Sequence, residues 1–227
     1  MCEHLNPWLA LPSQPPYVLQ CDSDTISGYS AKAKEDYKFH LNVLPEPFIG
    51  FPKAPVVLLN LNPGFDDRDP EAHKRPDFQG LLRRNYGHGS SDFPFFFLDP
   101  CLTDTPGVEW WESKLKWLLE DFNRMQRARS LLCVEYFPYH SRRFRWAKKL
   151  KVDSQHYGFG LVRSAIDRKA VIVIMRARRL WIERVPELDK YSRTFTLNSP
   201  QNVVVSPGNC AGFDVLVDAI CDGKAHV

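Results

Sequence analysis

Four short apolar runs recur from Ala54 onward: PVVLLN at 55–60, SLLCVEY at 130–136, AVIVIM at 170–175 and NVVV at 202–205. Each is rich in Val, Leu or Ile without polar alternation, the pattern of a strand buried on both faces of a sheet. Helix-period segments lie between them. In EWWESKLKWLLEDFNRMQRAR, 109–129, the residues Trp111, Leu115, Leu118, Leu119, Phe122 and Met125 form one apolar stripe. GLVRSAIDRKA precedes the third run, RARRLWIERV follows it, and GFDVLVDAI comes last. This alternation predicts an α/β fold, a three-layer α/β/α domain with a short central parallel sheet. Residues 1–53 are Pro-rich, and only YSAKAKEDYKFHLN at 29–42 has helical character. They predict an N-terminal arm packed on a domain at 54–227, because Trp8, Leu9, Leu11 and Phe48 need burial.

Composition narrows the class. A chain of 227 residues with 44% hydrophobic and 25% charged residues suits one α/β domain and excludes a disordered or fibrous protein. No apolar run approaches the roughly 18 residues that cross a bilayer, and no basic-then-apolar leader opens the sequence. A cytoplasmic monomer with no membrane partner is expected. The six cysteines include no C-x-x-C pair, so no metal or cofactor is expected, with a site assembled from distant Cys and His left open. Cys133, inside an apolar run, reads as a reduced core residue. Motifs for nucleotide loops, nucleophile elbows and zinc proteases do not occur. Asp66 and Asp67 read as solvated.

The net charge is only +3, but it is unevenly spread. HSRRFRWAKKLK at 140–151 has six Lys and Arg residues and no acid, with Phe144 and Trp146 interleaved; MRARRLWIER follows at 175–184. Either cluster alone reads as a solvated helix face. Together, close behind strand-like runs, they suggest a positive surface for phosphates, with Arg142, Arg143, Arg145, Lys148, Arg178 and Arg179 as its contacts.

In parallel sheets ligands bind outside the carboxyl ends of the strands. The four runs end in NLNPGF, EYFPYHSRRF, RARRLW and SPGNCAGF. One crevice could therefore hold Asn62, Pro63, Gly64, Phe65, Glu135, Tyr139, His140, Ser206, Pro207, Gly208 and Asn209. The Pro-Gly turns bring bare backbone to a ligand. Ser206 and Asn209 are placed to cap the last helix and turn its amino end toward an anion. Read singly, each has a plainer role as turn, cap or buried polar group.

LNLNPGF, VEYFPYHS and VSPGN, in that order across 54–220, resemble motifs of the uracil-DNA glycosylase superfamily, nearest its mismatch-specific and single-strand-selective branch. The resemblance implies a short parallel sheet between helices, no metal, and DNA as partner. It implies that Asn62 positions the attacking water and that Phe78 in RPDFQG stacks on the base. Glu135 then stands where the family reads the base's pairing edge with asparagine, and Ser206–Asn209 form the phosphate-gripping loop. The family histidine two positions before Ser-Pro is here Val204, and His140 is the candidate replacement.

The activity implied is a DNA glycosylase, active in repair, hydrolysing the N-glycosidic bond of a flipped-out base. An ionised Glu135 would offer acceptors only, favouring an amino-bearing or modified base over uracil. Two alternatives stand beside it: a non-catalytic nucleic-acid- or partner-binding relative, and an unrelated small-molecule hydrolase on a similar sheet.

Overall fold

The computed structural model describes residues 5–144 and 150–222. Five strands, β1 (Phe48–Gly50), β2 (Val56–Asn60), β3 (Leu131–Glu135), β4 (Val171–Ile174) and β5 (Thr194–Thr196), form one sheet in the order β1-β3-β2-β4-β5. The run from β3 through β5 is parallel, and β1 adds antiparallel to β3. Strands β2, β3 and β4 are buried at every position, which is why their sequences lack polar alternation.

Helices cover the sheet in the three-layer arrangement. They are α1 (Ser23–Ser30), α2 (Asp69–Lys74), α3 (Pro76–Tyr86), α4 (Pro106–Asp121), α5 (Arg124–Ser130), α6 (Gln155–Asp167), α7 (Arg178–Arg184) and α8 (Phe213–Asp222). Helix α6 packs on β3 and β4, α8 on β2 and β4, and α3 on β1. No helix among the described residues is long and apolar enough to cross a membrane.

The structure departs from the sequence reading at four places. The last parallel strand is Thr194–Thr196, not the valine run at 202–205. Val203 and Val205 are buried, yet the carbonyls of Asn202 and Val204 are taken by the Asn209 side chain and the Val205 amide donates to Lys114. With those groups spent, no ladder forms there. The long helix expected at 109–129 breaks at Phe122 and Asn123. There Asn123 and Gln126 form a reciprocal capping box that starts α5. Met125 consequently leaves the stripe and is exposed, whereas Trp111, Leu115, Leu118 and Phe122 are buried.

In the arm, the helix lies at 23–30, and beyond it the stretch to residue 42 holds only a 3-10 turn at Glu35–Tyr37. Phe39 anchors that stretch by stacking on Phe137 with ring centroids 4.8 Å apart. Trp8, Leu11 and Phe48 are buried and Leu9 is exposed. The arm also supplies β1, so the sheet crosses the boundary drawn at residue 53. Its turn into Ala54 is tight: Gly50 sits at φ +115°, where a Cβ would meet the Leu131 carbonyl oxygen at 2.2 Å. Only glycine fits there.

Candidate functional site

A cavity of about 470 Å³ opens at the carboxyl ends of β2, β3 and β4. Its size is that of a small-molecule pocket. Asn60 ends β2, Glu135 ends β3, and Arg176 follows β4; the β2–β3 register sets Asn60 beside Glu135. The turn Asn62, Pro63, Gly64, Phe65 forms part of the wall, as do Phe78 and His140. Seven residues read from the sequence as catalytic or substrate-binding thus share one concave surface.

The other five lie outside that lining. Tyr139 is buried, donating to the Asp22 carboxylate at 2.7 Å and accepting from the Leu19 amide at 3.2 Å; it fastens the arm to the domain. Ser206, Pro207, Gly208 and Asn209 form a turn held to 198–204. Helix α8 begins at Phe213, too far along for Ser206 or Asn209 to cap it.

The basic surface also differs from its reading. Arg142 pairs with Asp67, Arg143 with Asp36 at 3.3 Å, and Arg178 with Asp189 at 2.7 Å. These pairs are exposed and worth about 0–1 kcal/mol each, so they leave a polyanion free to compete. Arg179 is exposed, and Arg145 and Lys148 lie outside the described residues. Arg142 also sits over the Phe65 ring at 5.0 Å, and that ring stacks on His40 with centroids 3.4 Å apart.

Within the cavity, Asn62 donates its amide nitrogen to the Pro63 carbonyl at 2.7 Å and to Ser141 Oγ at 3.1 Å. Those bonds fix the side chain and leave Oδ1 as its free acceptor. Phe78 is only 1% exposed, its ring packed against His73, Phe96 and Phe97. Phe65 and Trp110 are the half-buried aromatics of the lining.

Glu135 is buried. Asn60 Nδ2 donates to its Oε1 at 3.0 Å, while Asn60 Oδ1 and Glu135 Oε2 have no hydrogen-bond partner among the described residues. Burial pushes the Glu135 carboxyl up to about 8, against the lowering pull of Asn60, Arg176 and Cys133. At neutral pH it is therefore mainly a neutral acid, offering a donor as well as an acceptor. The premise of an ionised, acceptor-only Glu135 is corrected, and so is the alternative pairing with Arg142. Cys133, buried behind it, is a free thiol.

Sequence reasoning missed further polar residues of the wall, among them Glu46, Asn60, Asp69, His73 and Arg176. Asp69 and His73 are four apart, so they share one face of α2 and are buried together; that spacing was the available signal. The Asp69 carboxyl accepts from the Asp66 amide at 2.7 Å, and burial pushes it up to about 6. Glu46, His73 and His140 bring a carboxylate oxygen and two ring nitrogens within 4.8 Å of one another, all buried. Burial holds His140 down to about 4, opposed by carbonyl contacts from Gly64 and Leu44. It lowers His73 well below the ordinary range and raises Glu46 well above it.

No protein-family model matches the chain, and comparison with curated proteins and with solved structures returns no match.

Proposed function

We propose that the protein hydrolyses the N-glycosidic bond of a base swung out of a DNA strand into this cavity. The observation that carries the reading is Asn62. Its amide nitrogen is tied to the Pro63 carbonyl and Ser141, and its carbonyl oxygen is free in the wall of the cavity. An acceptor so fixed orients a water toward C1′ as positive charge grows on the sugar. Asp69, whose carboxyl titrates near 6, is suited to take that water's proton. Asn60 and Glu135 face the base edge with an acceptor and, in the neutral acid, a donor. Trp110 offers it a stacking surface. Arg142 and Arg179 hold the strand's phosphates.

The test is release of free base, followed by mass spectrometry, from oligonucleotides carrying uracil and a panel of modified bases, single- and double-stranded. Asn62→Ala should keep folding and oligonucleotide affinity while base release falls by about two orders of magnitude or more. Full activity in that variant rules out the water-positioning role, and equal loss of affinity and turnover marks Asn62 as a structural turn. A second reading, base binding without catalysis, draws on one observation: both His140 nitrogens contact backbone carbonyls, of Gly64 at 2.6 Å and Leu44 at 3.1 Å. Salt-sensitive oligonucleotide binding with no base release would select it.

A further inference from the structure

Glu46, His73 and His140 form a buried cluster whose proton inventory the backbone constrains. The Leu44 amide donates to His73 Nδ1 at 3.0 Å, so Nδ1 is a lone pair and the neutral ring carries its hydrogen on Nε2. That Nε2 faces Glu46 Oε1 at 3.8 Å. His140 Nδ1 approaches the Gly64 carbonyl at 2.6 Å, a contact that requires a hydrogen on Nδ1. In the neutral ring His140 Nε2 is then a lone pair, yet it faces two oxygens, Leu44 O at 3.1 Å and Glu46 Oε1 at 3.8 Å. Neither 3.8 Å separation is a hydrogen bond, so as neutral rings the two histidines flank the Glu46 carboxyl without supplying a counter-charge.

The same inventory decides against a cation. A ligating histidine binds through one nitrogen and donates the other N–H to an acceptor. His140 meets that condition through Gly64. His73 does not, because its far nitrogen receives a hydrogen bond instead of donating one.

We infer that Glu46, buried beside two neutral histidines and the further carboxyls of Asp69 and Glu135, is held as a neutral acid, and that Glu46 delivers its proton to the departing base. The delivery step rests on the glycosidic reading above. In it the C1′–N bond breaks with its electron pair going to the base. The Glu46 proton passes to the base, the water oxygen bonds to C1′, and the water's proton returns through Asp69 or Glu46 to restore the acid. Glu46 is the catalytic residue, since it lines the cavity; His73 and His140 are positioning residues. The charged and titratable groups around Glu46 are Asp69, Glu135, Tyr86, Cys133 and the two histidines. The acids among them oppose its ionisation, and no Lys or Arg faces it among the described residues.

The decisive measurement needs no substrate. Infrared spectra of glutamate-13C-labelled protein, titrated with pH, are compared for wild type, Glu46→Gln and Glu135→Gln. The separate variants assign each acid band. A neutral-acid band present at pH 7 and lost only in Glu46→Gln supports the cluster. Its absence, with Glu46 ionised at pH 7, overturns the neutral acid, as does one equivalent of Zn²⁺ bound by wild type and not by Glu46→Gln. For delivery, wild-type kcat should fall on the alkaline side as Glu46 loses its proton. Glu46→Gln should lose about a hundredfold in kcat with KM unchanged, and its alkaline fall should disappear. An unaltered pH profile in that variant overturns the acid role. Base release from no substrate defeats the glycosidic reading and the delivery step with it, while the acid band alone still decides the protonation of Glu46.

Discussion

Replacing Glu135 by Gln isolates one buried ionisation. In the folded protein the carboxyl keeps its proton up to about pH 8, against an ordinary value of 4.5. A group whose pKa is raised by folding contributes its full stability below the ordinary value and loses it as pH climbs toward the folded value. The change between pH 5 and pH 9 is on the order of 4 kcal/mol, from 1.36 kcal/mol per unit of pKa difference. Gln keeps the acceptor that receives Asn60 Nδ2 and cannot ionise. Urea unfolding followed by tryptophan fluorescence at pH 5, 7 and 9 reads the effect as the difference between the two proteins. That difference cancels the titrations of Asp69 and the histidines. The wild type should lose several kcal/mol relative to Glu135→Gln between pH 5 and pH 9, with the variant the more stable at pH 9. Curves that stay parallel within about 1 kcal/mol would refute the neutral acid and return Glu135 to an anion held by Arg176. The same neutrality governs recognition, because an acid that offers an O–H no longer repels the carbonyl O4 of uracil.

Two further outcomes concern stability. Tyr139→Phe removes the hydroxyl between the buried Asp22 carboxylate and the Leu19 amide; it should cost about 2–4 kcal/mol in urea unfolding, and a loss under about 0.5 kcal/mol would contradict the fastening role. Gly50→Ala puts a methyl group on the Leu131 carbonyl in a backbone conformation foreign to alanine; a destabilisation of about 2–4 kcal/mol is expected by thermal unfolding, and wild-type stability would show that β1 is not held there.

The sheet was legible where burial left an unmixed apolar signature. The runs ending at Asn60, Glu135 and Met175 became β2, β3 and β4 within a residue or two because both faces of those strands are covered. The edge strand escaped notice because Thr194–Thr196 is half-exposed, so its composition is unremarkable. The valines at 203 and 205 mimicked a strand because core burial, not pairing, selected them. For the site, the Asn-Pro-Gly turn could be read because proline and glycine fix a local backbone shape. Glu46 could not, since its place depends on β1 pairing with β3 far along the chain. Asp69 and His73 hid in a charged segment whose buried face becomes evident only once α2 is docked.

That long-range pairing also sets a schedule for synthesis. Phe48 leaves the ribosome well before Val134, its partner across the sheet. At 5–20 residues per second the intervening chain takes roughly 4–17 s to make. Through that interval the apolar β1 segment has no ladder to join, and Glu46 has no His140 beside it. The cavity's proton-bearing wall is thus completed late, when His140 emerges and closes onto a segment made long before.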